Sequence, residues 1–148
     1  MRIVLISDSH GHYQNILDLQ DKENYDKIVF AGDGIRDVDF IDDDKCIKVE
    51  GNCDIFYNDY QLTVIKEFEG VRTLITHGHK FLVKYSPFGL IKEAKLDDCK
   101  LVLYGHTHTA SVIQEDGIVL VNGGSIANGS YAVIEIKNGK ITAELKHL

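Results

Sequence analysis

The feature that most constrains this 148-residue chain is a set of five short apolar runs, each followed directly by a polar cluster. The runs are rich in Val, Ile and Leu, which is typical of strands buried on both faces. They are Ile3–Ser7, Ile28–Ala31, Cys46–Glu50, Val71–Thr76 and Leu101–Tyr104. In an open α/β sheet, ligands bind where the carboxyl ends of parallel strands meet solvent, so we expect the clusters to gather along one rim.

The five clusters combine glycine with side chains that commonly bind metal ions. In chain order they are Asp8-Ser9-His10, Gly32-Asp33-Gly34, Gly51-Asn52-Cys53-Asp54, His77-Gly78-His79 and Gly105-His106-Thr107-His108. Two clusters contain a pair of ligands one residue apart, namely Asp8 with His10 and His106 with His108. Because residues i and i+2 of extended backbone point to the same side, we expect each pair to converge on one locus. A lone Gly-Asp-Gly is usually a turn, but five ordered clusters predict a metal-dependent active site.

The clusters supply two carboxylates, one amide oxygen and four imidazoles. The predicted metal ligands are Asp8, His10, Asp33, Asn52, His77, His106 and His108. One cation cannot use all seven, whereas two cations that share a bridging carboxylate, roughly 3.5–4 Å apart, can do so. Mixed nitrogen and oxygen donors suit transition metals better than Ca²⁺. We therefore expect two divalent transition-metal ions, with Mn²⁺ ahead of Ni²⁺, Fe²⁺, Co²⁺ and Zn²⁺.

The charge balance limits the kind of substrate. The formal net charge is −7, and arginine occurs only as Arg2, Arg36 and Arg72. Extended binding to nucleic acids needs a basic surface that neutralises several phosphates, which this composition does not supply. Bound cations would therefore have to hold a phosphate-containing substrate, because their charge offsets the local acidity. The composition favours a small phosphoester substrate.

The sequence also bears on the cellular compartment. No apolar stretch approaches the roughly 20 residues that a membrane-spanning helix needs. The N-terminal Met1-Arg2-Ile3 enters the first strand at once and leaves no room for a signal peptide. The cysteines, Cys46, Cys53 and Cys99, are odd in number and lack Cys-x-x-Cys pairing, which indicates neither a disulfide framework nor a thiolate zinc site. We expect a cytoplasmic protein with no membrane partner.

We expect one domain over residues 1–148, because no repeat, linker or low-complexity tract stands out. A short amphipathic helix is predicted over about residues 12–22, and Pro87 marks the start of another helix. After Gly105 the pattern changes to antiparallel pairs with hairpin signals. These pairs are 110–114 with 118–121, joined by Glu115-Asp116-Gly117, and 131–137 with 140–145, joined by Asn138-Gly139. Two packed sheets with helices outside satisfy both patterns.

As an ordered set, the motifs resemble those of the calcineurin-like metallophosphoesterases over about residues 8–108. The matching stretches are Asp8-x-His10, Gly32-Asp33, Gly51-Asn52-x-Asp54, His77-Gly78 and Gly105-His106-x-His108. The short length and the Asp-Ser-His-Gly and Gly-Asn-Cys-Asp forms resemble the small bacterial and archaeal phosphodiesterases of this superfamily. The resemblance implies an α/β fold, a four-layer αββα sandwich with two mixed β-sheets flanked by helices.

The resemblance also implies two metal sites with four ligands each. One site would use Asp8, His10, Asp33 and His108, and the other would use Asp33, Asn52, His77 and His106, so that Asp33 bridges them. The implied enzyme is a dinuclear metal-dependent phosphodiesterase, in which a metal-bridging hydroxide attacks phosphorus in line with the leaving alkoxide. Asp33, Asn52 and His79 are assigned to catalysis, and His12 and Cys53 to substrate contact.

One position departs from the family pattern. Many members of the superfamily carry a histidine after the motif asparagine, where this chain has Cys53. A neutral thiol with a pKa of about 8.5 is a poor proton donor to a leaving group. We therefore expect weak turnover of phosphoesters with poor leaving groups. The neighbouring Asp54 is expected to hydrogen-bond within its loop rather than to bind metal.

Two other functions stay open, a phosphomonoesterase with the same metals and a non-catalytic protein-interaction scaffold of the same fold. Scarce arginine argues against tight capture of a phosphate dianion, and a scaffold has no need for seven converging metal ligands. Aromatic residues after the third and fourth clusters fit ordinary packing, a substrate rim or a subunit contact, which leaves a homo-oligomer open. They are Phe56, Tyr57, Tyr60, Phe81, Tyr85 and Phe88.

Overall fold

The computed structural model describes residues 1–55 and 59–148, so that Phe56 and Tyr57 lie outside the described residues. Ten strands occur within these ranges. They are β1 (Arg2–Ile6), β2 (Lys27–Phe30), β3 (Cys46–Lys48), β4 (Thr63–Phe68), β5 (Val71–Thr76), β6 (Leu101–Tyr104), β7 (Ser111–Glu115), β8 (Ile118–Asn122), β9 (Ser130–Lys137) and β10 (Lys140–His147). The five predicted runs correspond to β1, β2, β3, β5 and β6.

The strands form two mixed sheets of five, ordered β10-β9-β1-β2-β3 and β4-β5-β6-β8-β7. In the first sheet β1, β2 and β3 are parallel, and in the second β5, β6 and β8 are parallel. Burial on both faces holds for β1, β2, β5 and β6 but was wrong for β3, where Ile47 and Lys48 are only half-buried. The reason is that β3 lies at the edge of its sheet and has a partner strand on one side only.

Two helices cover the outer faces of the sheets, α1 (Tyr13–Lys22) and α2 (Phe88–Leu96). Both agree with the sequence prediction, since α1 fills the predicted range and α2 begins directly after Pro87. Short 3₁₀ helices span Ile35–Val38, His79–Phe81 and Ile126–Asn128. In the described ranges, neither α1 nor α2 is long and apolar enough to cross a membrane.

Three apolar clusters hold four layers together. The central cluster joins the two sheets through buried side chains such as Leu5 and Leu103. Ile16 and Leu19 of α1 pack on the outer face of the first sheet, and Leu90 of α2 packs on the second. Each fully buried aliphatic side chain contributes about 1.5–3 kcal/mol of transfer free energy. The expected αββα sandwich with two mixed sheets is confirmed.

The hairpin turns follow their local sequence. Asp116 and Gly117 have φ of 53° and 77°, and Asn138 and Gly139 have φ of 51° and 77°, as a type I′ turn requires. Both predicted hairpins are confirmed, as β7–β8 and β9–β10. The β4–β5 hairpin was not predicted, although its turn residue Glu69 also has a positive φ of 47°. Glutamate seldom occupies this conformation, so Glu69-Gly70 is a weaker local signal than Asn-Gly.

Candidate metal centre

The loops that follow the predicted strands meet at one rim, and their backbone is unusual there. Five of the predicted ligands have φ between 43° and 71°, the left-handed region that non-glycine residues rarely adopt. They are Asp8, His10, Asp33, His106 and His108. The premise that the ligand pairs lie in extended backbone was therefore wrong. Residues in this conformation cost of order 1–3 kcal/mol each and persist only where surrounding contacts hold them.

The left-handed turns also change which side chains meet. Asp8, His10 and His108 place one potential ligand atom each within 4.8 Å of one another, as do Asp33, His77 and His106. Asp8 and His10 thus converge as expected. His106 and His108 instead belong to two neighbouring groups, so the expectation of one shared locus was wrong for that pair. The division agrees with the two ligand sets that the family resemblance implies.

Asp8 is fully buried at the centre of the first group. Its Oδ2 accepts hydrogen bonds from Ser7 Oγ at 2.5 Å and from the backbone N–H of His106 at 3.1 Å. No hydrogen bond from the described residues reaches its Oδ1. Nε2 of His108 lies 3.1 Å from this oxygen, and Nε2 of His10 lies 3.8 Å from it. A buried carboxylate oxygen without a hydrogen bond is costly, and a cation between it and the imidazoles would remove that cost.

His77 orders the second group. Its Nδ1 lies 2.6 Å from the carbonyl oxygen of Ala31, which places a proton on Nδ1 and directs Nε2 toward the site. Nε2 lies 3.0 Å from Asn52 Oδ1, 3.1 Å from His106 Nδ1 and 3.3 Å from Asp33 Oδ2. A second proton, on Nε2, could serve only one of these three atoms at a time. A cation can use all of them at once, so the donor set fits a divalent metal ion.

Asp33 lies between the two groups. Its Oδ2 is 3.3 Å from Nε2 of His77 and 3.9 Å from Nε2 of His10. Its Oδ1 accepts the backbone N–H of Cys53 at 2.8 Å, which orients the carboxylate. Asp33 is therefore in reach of both groups, as a bridging ligand must be.

Charges within the site shift the ionisation of its members. Burial by itself would raise the pKa of Asp33, but the hydrogen bond and positive charge of His77, together with the N–H of Cys53, hold it well below its usual range. Burial and the charge of His77 lower the pKa of His106 to about 4. Burial, followed by the charge of His77, also lowers the pKa of His79. At neutral pH Asp33 is thus an anion and His106 a neutral donor, the forms that metal ligation needs.

Two aspartates that do not face the metal groups hold the loops in place. The carboxylate of Asp54 accepts the backbone N–H groups of Asp33, Gly34, Ile35 and Gly51 at 2.8–3.1 Å. The expected loop hydrogen bond of Asp54 is confirmed through Gly51, but three of the four bonds fix the loop after β2. Such charge-assisted bonds keep Asp33 in its left-handed conformation.

Asp37 performs the same task for the loop after β1, and sequence reasoning missed it. Its Oδ2 accepts Ser9 Oγ at 2.6 Å and the backbone N–H of Gly11 at 2.7 Å, on either side of His10. The partners lie 26 and 28 residues away in the chain. No local pattern therefore reveals the contact; the one local hint is that Asp37 lies close behind the cluster Gly32-Asp33-Gly34 in the chain.

Of the residues predicted for catalysis or substrate contact, some lie beside the metal groups and others do not. His79 is half-buried, with its ring centroid 5.5 Å from that of His77 and 6.1 Å from that of His106. Its Nδ1 is buried without a hydrogen bond from the described residues. His12 is exposed before α1, and its Nδ1 lies 3.1 Å from the carbonyl oxygen of Ser9. His12 does not belong to the two metal groups.

Cys53 is exposed and borders an open cleft of about 250 Å³ beside the metal groups. The cleft is lined by His10, Gly11, Gly34, Ile35, Arg36, Asp37, Cys53 and Asp54. Arg36 is the cationic side chain in this lining. The aspartates of the cleft accept backbone N–H groups, whose dipoles partly offset the negative charge that the carboxylates present to a ligand. Of the aromatic residues predicted for a rim or packing, Phe81 packs under α2, whereas Tyr85 and Phe88 are exposed.

A sequence profile of the calcineurin-like phosphoesterase superfamily domain matches residues 1–139. The chain therefore belongs to this superfamily and is a phosphoesterase, which confirms the resemblance noted in the motifs. A probable metallophosphoesterase of Mycoplasma pneumoniae is 29% identical over 128 residues, which cover 84% of this chain and 79% of that protein.

Solved structures show the same fold. A predicted phosphoesterase from Streptococcus pneumoniae has a TM-score of 0.83 at 26% identity, covering 99% of this chain and 88% of that chain. An archaeal phosphodiesterase has a TM-score of 0.76 at 19% identity, covering 99% and 100% of the two chains. Vps29 of Entamoeba histolytica complexed with Zn²⁺ has a TM-score of 0.76 at 17% identity, covering 99% of each. The last two similarities establish the fold alone.

Proposed function

We propose that the protein is a dinuclear metal-dependent phosphodiesterase that hydrolyses small phosphodiesters in the cytoplasm. The observation that carries this proposal is the position of Asp33 Oδ2, which lies within 4 Å of an imidazole from each of two adjacent donor groups. One ion would bind to Asp8, His10, Asp33 and His108, and the other to Asp33, Asn52, His77 and His106. Mn²⁺ is the first candidate, because the donors are oxygen and nitrogen atoms.

Two bound cations would lower the pKa of a water molecule toward neutrality and offset the charge that develops on the phosphoryl oxygens. The protein itself holds the ligand side chains in the orientation that metal binding needs. Ala31 fixes the tautomer of His77, and Asp54 fixes the backbone of Asp33. These contacts restrict the orientations open to the ligand side chains, which favours metal binding.

The cleft favours a diester over a monoester. A phosphomonoester carries up to two negative charges and a diester one, and the cleft lining supplies only Arg36 as a cation. We place the leaving group in this cleft, beside Cys53. Burial and the charge of Asp33 raise the pKa of Cys53, so its thiol stays protonated and remains a weak acid for the leaving alkoxide. Good leaving groups should therefore react fastest.

His79 is proposed to contact the substrate on the opposite side, near His106. Its lowered pKa keeps the ring neutral at pH 7, and its Nδ1 is without a hydrogen bond from the described residues. A neutral imidazole can donate or accept a hydrogen bond at the phosphoryl group. His12 is proposed only as a contact for an extended substrate, since it is exposed outside the cleft lining.

The test compares an aryl phosphodiester with the corresponding aryl phosphomonoester, using metal-depleted protein reconstituted with Mn²⁺, Ni²⁺ or Zn²⁺. We expect the diester to have the higher kcat/KM. We expect Asp33→Asn to lose most activity with both substrates, because both ions depend on it. Asp116→Asn is the matched control, since Asp116 lies in an exposed hairpin turn. Preference for the monoester would replace the proposal with a phosphomonoesterase, and no turnover with any metal would support a non-catalytic scaffold.

A further inference from the structure

Cys53 lies within reach of the metal centre, although the two ligand sets described above do not use it. His10, Asp33 and Cys53 place one nitrogen, oxygen and sulfur atom each within 4.8 Å of one another. We propose that these three residues form an additional binding site for Zn²⁺ or a similar divalent cation that prefers sulfur ligands. The inference rests on the proposed metal-binding roles of His10 and Asp33.

The local contacts hold Cys53 where such a site needs it. Its backbone N–H donates to Asp33 Oδ1 at 2.8 Å, which holds the cysteine beside the carboxylate. Its sulfur accepts a hydrogen bond from Asn52 Nδ2 at 3.6 Å. The thiol is exposed, whereas the other cysteines, Cys46 and Cys99, are buried. Cys53 is thus the thiol that a cation in solution can reach.

A second observation concerns His10, the residue that belongs both to the group with Asp8 and to the group with Cys53. Asp8 Oδ1 is fully buried, lacks a hydrogen bond from the described residues, and lies 3.8 Å from Nε2 of His10. His10 is therefore adjacent to a buried carboxylate oxygen that has no hydrogen bond from the described residues. A cation held by Nε2 of His10 would reduce the electrostatic cost of that oxygen.

Shared ligands make the two positions exclusive. His10 belongs both to the group with Asp8 and to the group with Cys53, and Asp33 is shared by the proposed ligand sets, so ions at the two positions would compete for the same side chains. Thiolate sulfur selects soft ions such as Zn²⁺, while oxygen and nitrogen donors also accept Mn²⁺. When Zn²⁺ binds at Cys53, the S–H proton passes to solvent as the sulfur–metal bond forms. Zn²⁺ should therefore occupy a different position from Mn²⁺ and compete with it.

The first test is a titration of the metal-depleted full chain with Co²⁺, followed by absorption spectroscopy. Thiolate ligation of Co²⁺ gives a near-ultraviolet charge-transfer band that nitrogen and oxygen ligands do not give. We expect this band in the wild type and in the matched control Cys99→Ala, and its loss in Cys53→Ser. A wild type that shows only the visible cobalt bands, or a Cys53→Ser variant that keeps the charge-transfer band, would overturn the inference.

The second test is calorimetric titration with Zn²⁺ and Mn²⁺. We expect Cys53→Ser to weaken Zn²⁺ binding by at least about tenfold, the lower end of the loss that follows removal of a supporting group. Mn²⁺ affinity should stay close to that of the wild type. Equal losses for both metals would contradict a sulfur ligand for Zn²⁺. These readouts do not involve turnover, so a protein with the cobalt band but no phosphoesterase activity would retain this inference and lose only the proposed function.

Discussion

Two buried carboxylates, Glu23 and Asp8, show how the same chemical group serves different ends in two regions of the molecule. Glu23 lies at the end of α1 and accepts hydrogen bonds from Arg2 at 2.9 Å, from Tyr131 at 2.8 Å and from Lys146. Asp8 lies at the metal rim, where one of its oxygens lacks any hydrogen bond from the described residues. The cationic partners of Glu23 are thus side chains of the protein itself.

The two carboxylates differ in their roles: one stabilises the fold, and the other serves the functional site. Glu23 joins the end of α1 to β1, β9 and β10, and its compensated charge stabilises the fold. Asp8 is as deeply buried, but the nitrogens nearest its Oδ1 belong to imidazoles, 3.1–3.9 Å away, whose charge depends on protonation. A group that destabilises the metal-free protein and binds an ion is what a functional site requires.

The largest expected effect comes from Asp8→Asn. Loss of a ligand should reduce kcat/KM by more than about a hundredfold, because a bound cation supplies several kcal/mol of charge stabilisation. The amide keeps an oxygen for Ser7 and His106 while removing the buried charge. The metal-free variant should therefore be more stable than the wild type by about 1–3 kcal/mol. Urea unfolding in the presence of a chelator measures this, and a destabilised variant would erase the contrast with Glu23.

Glu23→Gln should have the opposite effect on stability. Removing one partner of a buried ion pair costs about 3–5 kcal/mol, and we expect the lower end of this range because Arg2 keeps its ion pair with Glu135. The exposed pair of Lys95 and Asp116 provides the control, and Asp116→Asn should change the free energy of unfolding by about 1 kcal/mol or less. Chemical denaturation at pH 7 measures both variants, and similar values for the two would remove the special role of Glu23.

The pH dependence of stability gives a second test of the stabilising role of Glu23. Burial would raise the pKa of Glu23, but hydrogen bonds from Lys146, Tyr131 and Arg2 outweigh it and lower the pKa from 4.5 to about 2. A lowered carboxylate pKa stabilises the folded protein above the unfolded-state value, and this contribution disappears as pH falls toward the folded-state value. The advantage of the wild type over Glu23→Gln should thus be complete above about pH 4.5 and vanish near pH 2. An advantage that is constant between these values would exclude this cause.

The effect of added metal on stability tests whether the rim binds an ion. Mn²⁺ at about 100 times its dissociation constant should raise the free energy of unfolding by about 2.7 kcal/mol, because it binds the folded state. Glu23→Gln should gain as much as the wild type, and Asp8→Asn should gain much less. Thermal unfolding with and without Mn²⁺ measures the three differences. Equal gains for all three proteins would place the stabilising ion elsewhere.

Asp54→Asn should give the smallest of these effects. The amide presents one oxygen where the carboxylate presents two, so some of the four backbone N–H groups lose their acceptor. We expect metal affinity to fall by about 10–100-fold, because Asp54 holds the backbone of Asp33. Calorimetry measures the change, with Asp43→Asn as the exposed control. Unchanged affinity would show that the loop after β2 keeps its shape without Asp54.

Much of the fold was predictable because its signals are local. Asn138-Gly139 and Asp116-Gly117 formed hairpin turns as expected, since these residue types tolerate a positive φ without help from elsewhere. The half-exposed strand β4 was not predicted, because its turn uses Glu69 and its burial pattern is weak. The edge position of β3 could not be inferred from its apolar run, since an edge is defined by the strands that are absent on one side.

The sequence by itself determined the class of fold, the family and the chemical identity of the metal donors, because ordered clusters after apolar runs are a local pattern. Only the tertiary structure decided how the donors are divided. His106 and His108 are neighbours in sequence yet face different groups, and Asp33 stands between them. The physical reason is that five of the ligands adopt a left-handed backbone, and distant partners such as Asp37 and Asp54 hold the loops that carry His10 and Asp33. The direction of a side chain after a strand depends on those contacts, which no short stretch of sequence contains.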